Sequence, residues 1–267
     1  FFYQYGYDIT SVDVRTAIQA VRKWDGILKS VPFVYHNNKV KVNFFYKRLS
    51  EEGTLGYNST KKLYDLSDNV IIDCEDIAAL YSIINRQLGT IVPLENQVVI
   101  NTRYINTISS WYRDDGNTTY YYTILHELGH SLGIGALWFL QGTKTTYIDE
   151  KDGERKGYYT AEHGLREYRF YTMDSNTKRY YGMPIEDDGG HGTASVHPEE
   201  GDEGHISVDN RTINGIYHPG LDKELMTGFI EGGTDTLPLS RLSIALVNDV
   251  GFDVDYKKAD IFRLEGY

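Results

Sequence analysis

The residues best suited to chemistry lie in one short stretch, His126-Glu127-Leu128-Gly129-His130. A helix repeats every 3.6 residues, so His126 and His130 fall one above the other on the same face. Two imidazoles on adjacent turns can aim at one Zn²⁺ at about 2.0–2.1 Å. Glu127 is one step round the helix, beside such an ion without ligating it. From there a carboxylate can take a proton from water next to the metal and later return it to a departing amine. The HExxH pattern has this meaning only on a helix.

The surrounding sequence supplies the helix. Tyr122, Ile124, Leu125, Leu128 and Leu132 offer apolar surface, Asn117 or Thr118 can cap the N-terminus, and Gly133 and Gly135 make continuation costly. We therefore predict a helix over 118–132. Further helices are predicted over 12–28, 73–88, 161–171 and 239–250, the first burying Val14, Ala17, Ile18, Val21, Trp24 and Leu28. Strands are expected at 40–47, by alternation, and at 97–101, after a break at Pro93. Gly53 and Gly56 mark a loop, and Asp152-Gly153 reads as a hairpin tip. The strand at 97–101 is a candidate edge for aligning an extended peptide, although an ordinary core strand fits it equally. Past Gly135 the chain becomes polar and glycine-rich. The expected class is α+β: one domain spanning 1–267, with an N-terminal lobe over about 1–135 holding a mixed sheet and helices, and a loop-rich C-terminal lobe over about 136–267.

Two histidines leave a catalytic zinc short of its usual three protein ligands and open position. Ala136 stands where a third histidine would follow in a contiguous motif, so the ligand must come from elsewhere. His163, His191, His197, His205 and His218 are the candidates, with His36 far upstream.

Over 88–260 the sequence resembles the leishmanolysin-like zinc peptidases, a metzincin-type family, and chiefly their bacterial and viral branch. The resemblance rests on HELGHSLGIGALW (126–138), AEHGLREY (161–168), MPIEDDGGHGTASVHPEE (183–200), ELMTG (224–228) and PLSRLSIALVNDVGFDVDYKKAD (238–260). It implies a metzincin-like fold with a Met-turn and C-terminal helix, and one catalytic Zn²⁺ held by His126, His130 and His197. It also implies Glu127 as general base and acid, Met226 as the methionine beneath the metal, and a protein or peptide substrate. The chain departs from the family at Pro198, where a Trp is usual, and in a longer stretch between His197 and Met226. The rival expectations are a proteolytically silent zinc-containing surface module, with a fourth ligand from His218 or a carboxylate, and a metallohydrolase acting on a non-peptide substrate.

Other features narrow the reading. A net charge of −11 over 267 residues argues against nucleic acid and anionic membranes as partners. No apolar run approaches the 18 residues a membrane helix needs. The single cysteine, Cys74, excludes an intrachain disulfide framework, and its plainer role is as core. Glu199, Glu200, Asp202 and Glu203 offer oxygen ligands of the kind Ca²⁺ accepts, although a solvated acidic loop is the simpler expectation. Asn58, Asn117 and Asn210 begin N-x-S/T sequons. Because the chain begins at Phe1, we expect a processed chain or a piece of a longer one, and favour a secreted or surface-exposed location.

Overall fold

The structure is a computed structural model that describes residues 2–4, 8–30, 39–84, 90–148, 155–174, 179–190, 192–201, 211–213 and 216–264. Its first half runs β1 (Phe2–Gln4), α1 (Ser11–Asp25), β2 (Leu28–Ser30), β3 (Lys41–Lys47), β4 (Gly56–Asp65), β5 (Val70–Asp73), α2 (Ile77–Ser82), β6 (Ile91–Asn101), α3 (Ile105–Ser110) and α4 (Thr119–Ser131). The second half runs β7 (Lys144–Ile148), β8 (Arg155–Tyr159), α5 (Glu162–Tyr171), β9 (Met183–Ile185), β10 (Arg211–Ile213), β11 (Ile216–His218), α6 (Arg241–Val250) and β12 (Asp253–Val254). The protein is thus α+β with a mixed sheet, as expected from the sequence.

The main sheet has the order β1-β3-β6-β4-β5, parallel across β1, β3 and β6 and antiparallel across β6-β4 and β4-β5. The segment 97–101 is therefore in a central strand: of the two alternatives the sequence left open, the core strand forms and the edge does not. That strand is also longer than predicted and runs through Pro93. Proline cannot donate to a ladder, and it sits opposite Leu63 just where the β4–β6 register shifts. The edge lies one strand further out: β5 pairs with β4 only over 62–65, and residues 56–60 pair with β6 alone among the described residues. Gly56, expected in a loop, opens this strand.

α1 starts at a capping box, Thr10 Oγ1 accepting from Asp13 N at 3.2 Å and Asp13 Oδ2 from Thr10 N at 2.8 Å. Its buried stripe is Asp13, Ala17, Ala20 and Trp24, narrower than predicted, with Ile18 and Val21 each 40 % exposed. Trp24 Nε1 donates to Leu125 O at 2.9 Å and so ties α1 to α4. Of the helix predicted over 73–88, residues 85–88 lie outside the described residues, and within 73–84 it forms at 77–82, behind β5, with Ile77 and Tyr81 exposed. Leu80 and Ile83 pack against the core, but with Ile77 and Tyr81 left in solvent little tertiary packing supports the helix. α5 and α6 match their predicted spans to within two residues. β7 and β8 pair as an antiparallel hairpin whose Asp152-Gly153 tip lies outside the described residues. No helix among the described residues is long and apolar enough to cross a membrane.

Candidate metal centre

α4 is the centre of the core. Thr118 caps it, accepting from Tyr121 N at 3.3 Å, and every residue of the helix except half-buried His126 is buried. Burial on all sides fixes the rotation of the helix, and with it the direction of its two histidines. At its C-terminus Gly133 (φ 104°) and Gly135 (φ 73°) turn the chain back. A Cβ on Gly135 would overlap the carbonyl oxygen of Val196, so the missing side chain lets the neighbour of His197 reach the helix end. From the other side the segment carrying His197 extends from β9. Glu186 N donates to His197 O at 3.0 Å, Ser195 N to Glu186 O at 2.7 Å, and Glu199 N to Pro184 O at 3.0 Å.

Three imidazoles converge as a result. The Nε2 atoms lie 2.9 Å (His126–His130), 2.9 Å (His130–His197) and 3.1 Å (His126–His197) apart. Each Nδ1 faces a backbone carbonyl: His126 to Leu225 O at 2.8 Å, His130 to Ile134 O at 3.0 Å, and His197 to Thr193 O at 2.7 Å. A carbonyl can only accept, so each Nδ1 bears the proton and donates it. Burial, the main cause, holds all three histidines below the usual imidazole pKa, His197 down at about 3, so they are neutral near pH 7. Three Nε2 lone pairs therefore point at one another with no proton between them. That arrangement is repulsive unless a cation sits among them. A tetrahedral zinc with nitrogen ligands at about 2.0–2.1 Å sets those atoms about 3.3 Å apart, close to the 2.9–3.1 Å observed. The residues fit a buried three-histidine site able to hold a metal ion such as zinc.

Glu127 lies beside the triad with 5 % of its surface exposed, and its Oε2 is buried without a hydrogen-bond partner among the described residues. Burial pushes its carboxyl up to about 8. Gly56 of β4 backs onto it, since a Cβ there would stand 3.4 Å from Glu127 Oε1 and 3.0 Å from Val99 O. Met226 is fully buried against the other side of α4, so close to Gly129 that a Cβ there would come within 2.5 Å of its Sδ. His126, Glu127, His130 and His197 line a cleft of about 1110 Å³. Its walls are the loop before β4 and residues 56–58 and 60 on one side, and Gly189, Gly192, Thr193, Val196, Leu225 and residues 227–230 on the other. Tyr122 also lines it, but its hydroxyl is committed to Asp115 Oδ2 at 2.6 Å.

The remaining histidines stand elsewhere. His218 is fully buried between the rings of Tyr158 and Tyr180, with centroids 5.2 and 4.9 Å away, and is not part of the cluster. His163 sits at the start of α5, against Arg166 at 3.0 Å. His36, His191 and His205 lie outside the described residues. Asn58, a possible glycan acceptor by sequence, lines the cleft and donates from Nδ2 to Ser131 Oγ at 2.6 Å, which commits the amide nitrogen a glycan would take. Asn117 is bound to Asp115 Oδ2 at 2.6 Å, and Asn210 lies outside the described residues.

The acidic run departs from the solvated loop expected of it. Glu199 and Glu200 are 1 % and 2 % exposed, while Asp202 and Glu203 lie outside the described residues. Glu200 accepts from Phe229 N at 3.0 Å and clusters with Asp222 and Glu231. Burial first, and the Glu231 charge second, push its carboxyl up to about 8 from 4.5. Between those values the folded chain holds a proton that the unfolded chain has released, so this group lowers stability as pH rises from about 4.5 to 8. Glu200→Gln keeps an acceptor for Phe229 and removes the titration. We expect it to raise stability at pH 8 by on the order of 2 kcal/mol, with little change at pH 4, as read by denaturant unfolding at the two pH values.

Compared with known proteins, the sequence matches no protein-family model and no curated protein.

Proposed function

We propose that the protein is a zinc-dependent endopeptidase of the leishmanolysin-like type that its motifs resemble. The observation that carries the reading is the convergence of three proton-free Nε2 atoms beside a buried carboxylate. His126, His130 and His197 would hold the ion. Zinc bound there would supply Lewis acidity, polarising a scissile carbonyl and acidifying nearby water. Glu127, which lines the same cleft as the three imidazoles, would accept the proton from the attacking water and return it to the departing nitrogen. Its raised proton affinity in the metal-free protein comes from burial, and a divalent charge close by would draw it down towards ionisation.

The edge of β4 supports a peptide as substrate. Residues 56–60 run along the cleft, and an extended chain added there would present its carbonyls close to Glu127. The buried position of Met226 beneath α4 is consistent with the Met-turn role implied by the resemblance. We expect casein cleavage by the purified protein to be lost on treatment with a zinc chelator and restored by adding Zn²⁺. Undiminished cleavage by protein shown by metal analysis to be zinc-free would overturn the reading.

A further inference from the structure

The three carbonyls that orient the histidines are not equivalent. Leu225 O, which accepts from His126 Nδ1, belongs to the peptide group that ends at Met226 N. That N–H donates to Glu224 Oε2 at 2.7 Å. One peptide group thus connects a carboxylate to a ligand imidazole: the carboxylate accepts from its N–H, and its carbonyl accepts from His126. The corresponding peptide at His197 ends at Ala194 N, which donates to the carbonyl of Gly190 and not to a charged group.

Glu224 is built into the core for this contact. It is 1 % exposed, and its other oxygen accepts from Ser240 N at 3.2 Å, Ser240 Oγ at 2.5 Å and Ser243 Oγ at 2.7 Å. Ser240 is the N-cap of α6, so the carboxylate sits at the positive end of a helix. Leu225 N is held by Pro238 O at 3.1 Å, and Thr227 N and Oγ1 return to Glu224 O at 3.2 and 2.9 Å. The Leu225–Met226 peptide is therefore pinned at both ends and cannot rotate away from His126. Hydrogen bonds in a chain polarise one another, and a carboxylate at the end of such a chain makes the carbonyl a stronger acceptor. A stronger acceptor at Nδ1–H makes Nε2 a better donor to a metal.

We propose that Glu224 is a positioning residue for the metal centre, acting through the Leu225–Met226 peptide to fix the tautomer and aim of His126 and to strengthen it as a ligand. The proposal rests on the metal-binding part of the proposed function and is independent of proteolysis. The test is Co²⁺ and Zn²⁺ binding to the full chain, followed by visible absorption and by competition with a chelator of known affinity. Glu224→Gln should bind about tenfold more weakly or worse and shift the cobalt absorption bands. Ser243→Ala, which perturbs the same buried carboxylate on the oxygen away from the relay, should lower thermal stability and leave affinity and bands unchanged. If Glu224→Gln does not unfold cooperatively, Glu224→Asp takes its place. It keeps the charge near Ser240 but withdraws from Met226 N, and the same loss is expected. Wild-type affinity in the Glu224 variant, or an equal loss in Ser243→Ala, would overturn the relay alone. A wild-type chain that takes up neither ion would overturn the metal reading and the relay with it.

Discussion

Glu127→Gln should reduce casein hydrolysis by about 10²–10⁴-fold while leaving zinc content unchanged. Gln is nearly isosteric with Glu, and residue 127 is not one of the three converging imidazoles, so the metal site keeps its ligands. What the substitution removes is the capacity to take up and release a proton at this position. The loss should fall on kcat, because a group that acts by proton transfer contributes mainly in the transition state. Fold stability separates this result from simple damage. The wild-type carboxylate is buried with one oxygen lacking a hydrogen-bond partner among the described residues, and burial pushes its pKa up to about 8. Below that pH the folded metal-free protein holds the proton there, and above about 4.5 the unfolded chain does not. Stability therefore falls as pH rises through this window, and a neutral Gln abolishes that loss. The metal-free variant should unfold at a temperature no lower than wild type at pH 8. A variant that cleaves casein at the wild-type rate would show that Glu127 is not the proton carrier and would sink the mechanism.

The parts of this centre differ in how far the sequence discloses them. His126 and His130 are legible because one helix relates them, and helical geometry converts a spacing of four residues into a shared face. The helix is legible too, since Thr118, the apolar residues around the motif and Gly133 define its ends locally. His197 is not related to them by any local rule. It reaches the triad because Gly135 lacks a Cβ where Val196 passes, and because Glu186 pairs with the His197 backbone. Spacing leaves five histidines open at that position, and only the family resemblance singles out His197. The strand edge at 56–60 was hidden for another reason. Gly56 looks like a loop residue, and Pro93 looks like a break, until the register irregularity in β4 accommodates the proline. Buried carboxylates mislead in the same way. Glu199 and Glu200 read as a solvated loop, yet both are buried, and Glu200 accepts from Phe229 N far along the chain. Pattern reasoning sees periodicity and turn chemistry; it does not see which distant donor will satisfy a buried acid.

Replacing His197 and His218 separately by Ala should give opposite results in two measurements. His197→Ala should lose bound zinc, because two imidazoles remain where three Nε2 atoms now lie 2.9–3.1 Å apart. The same change removes one of three mutually repelling lone pairs, so it should cost the metal-free fold little. His218→Ala should keep zinc, since His218 packs between Tyr158 and Tyr180 and takes no part in the cluster. It empties a fully buried site instead, and a large-to-small change there costs about 2–4 kcal/mol. Added zinc sharpens the contrast. An ion that binds only the folded chain raises the unfolding temperature with concentration, so wild type and His218→Ala should both be stabilised and His197→Ala should not. The reverse outcome, zinc kept by His197→Ala and lost by His218→Ala, would transfer the third position to His218. It would also require the Tyr158–Tyr180 packing to open before metal could bind, because the His218 ring is fully buried against those two tyrosines and does not line the cleft.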